Sequence, residues 1–226
     1  MKIYKEIQQH HDDGTENEEW LALRKGKITA SEVGPFVINK GKVADGAKDK
    51  LICKKLAELC GCEMPPNYPN WAMKRGTELE PEARAMFNLK GMGPEMAEVG
   101  FCSHDFASLG CSPDGINEDA QEGLEIKCPS PETHVRYFMD GCLPDQYKWQ
   151  VHHSLAITGY KRWHFLSYCP GAPYLHVVVK RDEFTEQLEQ GLLDLDRQLK
   201  LAMTDLRNKW EQQREEQATD GKGESQ

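Results

Sequence analysis

Two stretches carry residue types that could do chemistry together: Cys111-Ser112-Pro113-Asp114-Gly115, and, after a short turn-rich gap, Gly123-Leu124-Glu125-Ile126-Lys127-Cys128-Pro129. The first places an acid on a turn; the second is acid-x-lysine on a short apolar strand. Strand side chains alternate faces, so Glu125 and Lys127 point the same way and Ile126 points into the core. Pro113-Asp114-Gly115 reads as a tight turn that brings Asp114 back beside Glu125. Two carboxylates and an ammonium then share one small space. Carboxylates are the hard oxygen ligands that Mg²⁺ prefers, and the Ile126 carbonyl can add a third oxygen. Such a centre suits phosphodiester hydrolysis, which needs a deprotonated water, neutralised phosphorane charge and a stabilised leaving oxygen. Lys127 would hold or deprotonate the attacking water, with a neighbouring metal lowering its pKa. Without a metal the same residues make only a salt bridge, yet burying charges on a strand apolar at both ends calls for a reason.

The elements that must position these residues follow from periodicity. Glu18–Arg24 has the pattern of a short amphipathic helix, and Thr29 or Ser31 can cap the next helical turn. Residues 47–60 carry Leu51, Ile52, Leu56 and Leu59 at helical spacing, and Pro65-Pro66 ends that run. Residues 71–89 are helical in period, but Pro81 requires either a kink or a helix whose first turn holds Pro81, with Glu80 at its N-terminus. Strands are expected at 97–102, 106–111, 123–128, 162–168 and 174–180, and helices at 133–139, 143–157 and 184 to about 210. Asp12-Asp13-Gly14 reads as a turn. Strands with helices on both sides of them in the sequence imply an α/β fold, a three-layer sandwich with a central mixed β-sheet. Residues 1–218 read as one domain, and the polar residues 219–226 as a disordered tail.

Composition sets outer limits. Net charge is −9 over 226 residues, which is awkward for a nucleic-acid partner. Residues 181–226 hold 12 acids against 7 bases, however, so over half of the excess lies at the C-terminal end and a locally basic groove remains open. No stretch approaches the roughly 20 apolar residues of a membrane span, and the first residues form no apolar run. The eight cysteines lack the setting of a disulfide framework. A reducing, cytoplasmic protein with no membrane partner is expected.

Five stretches in order resemble the bacteriophage lambda exonuclease family, the YqaJ-type viral recombinases within the RecB-like and restriction-endonuclease-like nucleases. They are Trp20 to Val33, Arg75-Gly76-Thr77-Glu78-Leu79-Glu80 with Ala83-Arg84, Cys111 to Gly115, Leu124 to Pro129, and Tyr147 to Ser154. The resemblance implies a restriction-endonuclease-like fold and assigns roles. Asp114, Glu125 and the Ile126 carbonyl become metal ligands, Lys127 the catalytic lysine, Glu80 a helix acid that reaches the metals, and Gln150 the glutamine that steadies the lysine. Arg24, Ser31 and Ser112 match a pocket for a 5′-terminal phosphate, a task suited to arginine. The family implies two Mg²⁺ ions, with Mn²⁺ as a substitute, and 5′→3′ digestion of one strand from duplex ends to 5′ mononucleotides. The 3′ tails left behind would serve a strand-annealing recombinase. A ring-shaped homotrimer around DNA would let topology replace electrostatic grip. Met73, just before Gly76, is expected to wedge between base pairs.

Plainer readings stand beside these. Glu80 could be a solvated helix acid, Arg24 a partner of Glu18 or Glu19, and Ser31 a helix cap. His104 and Asp105 read as turn residues. His152-His153, adjacent on a helix, cannot face one metal. Cys60-Gly61-Cys62 has the wrong spacing for an iron–sulfur cluster, and the thiols read as core residues. Two other functions are compatible: an endonuclease of the same fold in restriction or repair, and a non-catalytic DNA-end-binding module.

Overall fold

The computed structural model describes residues 1–11, 15–34, 37–38, 42–43, 45–65 and 71–223. The chain opens with β1 (Lys2–Tyr4), α1 (Glu18–Arg24), β2 (Ile28–Thr29) and α2 (Ala30–Val33). A small hairpin, β3 (Val37–Ile38) and β4 (Lys42–Val43), precedes the helices α3 (Asp45–Cys60) and α4 (Trp71–Leu89). Four strands follow, β5 (Phe101–Ser103), β6 (Leu109–Cys111), β7 (Gly115–Asn117) and β8 (Glu122–Lys127). The remainder is α5 (Pro131–Asp140), α6 (Asp145–Thr158), β9 (Arg162–Ser167), β10 (Leu175–Lys180) and α7 (Glu183–Gly223).

Two four-stranded sheets result, ordered β1-β5-β6-β2 and β10-β9-β8-β7. Both are mixed: β6 pairs β2 in parallel and β8 pairs β9 in parallel, while the other neighbours are antiparallel. Alternation along β8 and β9 sorts the core. Leu124, Ile126 and Leu166 pack with Ala83 and Phe87 of α4. Trp163 and Phe165 join Val151 and Leu155 of α6 and the leucines 188, 192, 195 and 199 of α7. Helices thus cover both faces, giving the layered α/β architecture that the order of elements predicts. Each fully buried side chain of this size contributes about 1.5–3 kcal/mol. Close packing is specific at Gly123, which lies opposite Trp163; a Cβ there would stand 2.4 Å from indole atoms.

Several expectations need correction. α4 begins at Trp71, so Pro81 is interior and Glu80 lies mid-helix, not at an N-terminus. The lost backbone bond, worth roughly 3 kcal/mol, is offset by burial of Ala83 and Phe87 just beyond it. The strand expected at 97–102 is reduced to Phe101–Ser103, with Ala97 in an isolated bridge to Ile116. The one expected at 106–111 is reduced to Leu109–Cys111. Pro113-Asp114-Gly115 is not the reversing turn: Gly115 enters β7, and the chain reverses at 118–121, where Gln121 takes φ 56°. α7 overshoots its expected end by more than three turns and runs through 219–223, where composition suggested disorder. Pairs such as Asp205–Lys209, four residues apart, favour its continuation. Asp12-Asp13-Gly14, Pro66 and residues 224–226 lie outside the described residues. No helix among those described is long and apolar enough to cross a membrane.

Candidate active site

Hairpin register, rather than a turn, delivers Asp114 to Glu125. Gly115 faces Leu124, so Asp114 sits just beyond the pairing and its N–H donates to the Leu124 carbonyl at 3.1 Å. Its carboxylate accepts the Ile126 N–H at 2.5 Å. Lys127 Nζ contacts Glu125 Oε1, as alternation predicts. Ile126 itself is buried against α4, leaving its backbone at the strand edge of the site.

α6 closes one side. Gln150 donates from Nε2 to Glu125 Oε1 at 2.6 Å. It therefore steadies the lysine at second hand, through the carboxylate oxygen that both share. Tyr147, one turn earlier, places its ring 5.4 Å from Lys127 Nζ. α4 closes the other side with Glu80, whose carboxylate lies 3.4 Å from Arg84 Nη1.

Burial and mutual repulsion set the electrostatics. Burial, then the charge of Asp114, pushes the Glu80 carboxyl up to about 9 against the pull of Arg84 and Lys127. Burial lifts Glu125 to about 7 although Lys127 opposes it. Asp114 is raised by burial too, against Lys127 and the Ile126 N–H. Burial pulls Lys127 down, but Glu125 and Asp114 outweigh it and hold the amine protonated. Clustered acids that destabilise one another are the setting a hard cation relieves. Among the described residues no three carboxylate, imidazole or thiol side chains form a ready cage. Mg²⁺ does not need one: it keeps several waters and takes one or two carboxylates. Asp114 and Glu125 could supply such a pair of carboxylates, with Glu80 and Ile126 lining the same cleft.

A second subsite adjoins this one. Trp20 is buried and donates to the Gly100 carbonyl at 2.8 Å, which fixes α1 on the sheet. Arg24, one turn on, stacks over the Trp20 ring at 4.3 Å. Its guanidinium donates to Ser112 Oγ at 2.9 Å and Thr29 Oγ1 at 3.2 Å. Among the described residues no carboxylate pairs with it, so the expected alternative partners, Glu18 and Glu19, are not used. Burial lowers its pKa, yet guanidinium stays charged. Thr29, not Ser31, is the N-cap of α2, its N–H and hydroxyl both donating to Glu32 at 3.1 and 2.8 Å. Ser31 is left facing the same cleft as Arg24.

That cleft, of about 1280 Å³, brings together Arg24, Ser31, Met73, Glu80, Ser112, Asp114, Glu125, Ile126, Lys127 and Gln150. The histidines weighed earlier fall elsewhere. His104 Nδ1 accepts from the N–H groups of 106 and 107 within its turn. His152 bonds Thr185 and His153 bonds the Gly110 carbonyl, in different directions. All eight cysteines are free thiols.

Arg84 falls in a matching stretch but was given no role. It is buried, donates to the Asp114 carbonyl and pairs with Glu98 at 2.7 Å, so it ties α4 to the segment bearing the acid just before β7. Its spacing of four from Glu80 was the available signal. Arg75 was likewise without a role; it donates to the Pro129 carbonyl at 3.2 Å.

Residues 19–161 match the YqaJ-like viral recombinase domain. The fold is similar to an alkaline exonuclease from Laribacter hongkongensis, with 32% identity and a TM-score of 0.71 over 87% of this chain and 99% of that one. A structure of that enzyme with dAMP aligns at 30% identity and a TM-score of 0.66 over 85% and 99% of the two chains. A phage-related exonuclease from Haemophilus somnus 129PT shares the fold at 13% identity and a TM-score of 0.56, over 80% and 96%. No curated protein matches the sequence.

Proposed function

This chain belongs to the YqaJ-like viral recombinase family, and from that premise we propose that it is a Mg²⁺-dependent 5′→3′ exonuclease acting on 5′-phosphorylated ends of linear duplex DNA. One observation carries the reading: the acid–lysine cluster and the Arg24–Ser112 pair line a single cleft. A phosphate-binding arginine beside a hydrolytic centre selects strand ends, because only an end presents a terminal phosphate. The Laribacter enzyme, an alkaline exonuclease crystallised with dAMP, supports a deoxynucleoside monophosphate product.

Asp114, Glu125, Glu80 and the Ile126 carbonyl would hold one or two Mg²⁺ ions, or Mn²⁺ in their place, which when bound supply charge neutralisation at the phosphate and a more acidic water. Lys127, protonated between Glu125 and Asp114, donates hydrogen bonds to the attacking water or to a phosphate oxygen. Gln150 fixes Glu125, and through it the lysine. Arg24, Ser112 and Ser31 grip the terminal phosphate, so that the next phosphodiester falls at the acids. Met73, 44% exposed on the cleft wall, separates the end base pair. The 3′ single-stranded tail passes to a strand-annealing recombinase. A homotrimeric ring keeps the acidic chain on DNA, and its mass in solution would be three times the 25.7 kDa protomer.

The test uses two substrates with Mg²⁺. Linear 5′-phosphorylated duplex should release mononucleotides, and closed circular duplex should stay intact. Nicking of the circle would make the protein an endonuclease, and binding without hydrolysis an end-binding module.

A further inference from the structure

Trp71 opens α4 on the wall of the same cleft and is 62% exposed. An aromatic side chain left this open on a cleft wall is unusual for packing, since it buries little of its large apolar area. Its setting is cationic. Arg75, one helical turn on, holds its guanidinium 5.6 Å from the ring centroid. Arg75 is itself fixed, by the Pro129 carbonyl at 3.2 Å and Cys169 Sγ at 3.5 Å, directly after the strand that bears Lys127. Lys74 lines the cleft between them. A flat ring braced by a guanidinium with a second cation nearby suits a stacked base whose phosphate lies alongside.

Position along α4 selects the strand. Met73 lies between Trp71 and Glu80, so if Met73 parts the duplex, the Glu80 side receives the strand being cut and the Trp71 side its complement. Only two residues of helix separate Met73 from Trp71, about 3 Å along the axis. A stacked strand rises about 3.4 Å per nucleotide, so roughly the first unpaired nucleotide beyond the fork reaches the ring.

We propose that Trp71, braced by Arg75, is a stacking platform for an unpaired base of the uncut strand at a DNA end. This rests on the exonuclease reading above and adds a binding site to it.

The experiment measures binding of labelled duplexes by fluorescence anisotropy in a Lys127→Ala background, with 3′ single-stranded tails of zero to eight nucleotides and matched 5′ tails. Affinity should rise with the first one or two nucleotides of 3′ tail and then level off. Trp71→Ala should remove that gain, a loss of roughly tenfold or more on the scale of base–aromatic stacking. Trp71→Phe should keep most of it, and 5′-tailed duplexes should bind Trp71→Ala and its parent alike. Equal affinity of parent and Trp71→Ala for 3′ tails overturns the platform, as does an equal loss on both kinds of tail. An unchanged thermal midpoint confirms that Trp71→Ala folds; should it not, Trp71→Phe and Trp71→Leu, compared on the same tails, decide the question. Hydrolysis of linear duplex by the unmodified protein, run in parallel, separates failure of the platform from failure of the exonuclease reading.

Discussion

Arg24→Ala should erase discrimination between 5′-phosphate and 5′-hydroxyl ends while leaving the hydrolytic centre in place. The guanidinium carries five N–H donors, and the two neighbours it reaches, Ser112 and Thr29, are neutral hydroxyls. It is half-buried on the cleft wall and, among the described residues, forms no ion pair with a carboxylate, although the charge of Glu32 favours its own, so a terminal phosphate would be its direct anionic partner. A charge-assisted hydrogen bond contributes about 1.5–3 kcal/mol. Two such bonds at the lower end give about 3 kcal/mol, or roughly 10²-fold in kcat/KM for phosphorylated over hydroxyl ends. The assay is initial rate on two duplexes identical but for the 5′ group, with Mg²⁺, for unmodified protein, Arg24→Ala and Arg24→Lys. The alanine variant should fall on the phosphorylated substrate to the rate it shows on the hydroxyl one, with the lysine variant between. Loss of rate on both substrates with the ratio preserved would refute the assignment and make Arg24 a structural residue of α1.

Three further outcomes follow from the geometry. Gln150→Ala should cost about 10–100-fold in activity or metal affinity, because it frees the Glu125 oxygen that positions Lys127; Mg²⁺ titrations of the rate would show a loss in one or both. Mg²⁺ should raise the thermal midpoint, by the equivalent of about 2.7 kcal/mol at a hundredfold excess over Kd; Asp114→Asn should show little of that rise, and an undiminished rise would remove Asp114 as a ligand. Burial pushes the His153 imidazole down to about 4, with the Gly110 carbonyl opposing. Its folded pKa lies below its unfolded one, so stability is full above about pH 6.5 and falls as pH drops toward 4, by roughly 3 kcal/mol. Urea melts between pH 7 and 4 should show a shallower slope in His153→Gln, and an unchanged slope would acquit His153.

How much of this was legible in the sequence depends on how local each feature is. Glu125, Ile126 and Lys127 could be placed because a period of two is fixed by the strand itself. Asp114 was placed correctly for a wrong reason: the reversal lies at 118–121, and what joins the acid to Glu125 is cross-strand register, which a sequence specifies only weakly without its partner. β1, β2, β3 and β4 have two or three residues each, too few for any alternation to show. Pro81 left a choice between a kinked α4 and one starting at Pro81, since propensity is blind to the burial of Ala83 and Phe87 that favours the longer helix. Arg84 and Arg75 act on the Asp114 and Pro129 carbonyls, 30 and 54 residues away, contacts that only the folded chain reveals. Ser112 beside Arg24 joins residues 88 apart and was reached through resemblance, not through physics.

The central claim is that Lys127, set between Glu125 and Asp114, makes this cleft a phosphodiesterase for strand ends. Single-turnover release of mononucleotides from 5′-phosphorylated linear duplex with Mg²⁺, compared between unmodified protein and Lys127→Ala, tests it most directly. The account predicts release by the unmodified protein and a loss of about 10² or more in the variant, as expected for a donor aimed at developing charge. Release at an undiminished rate by Lys127→Ala would contradict it.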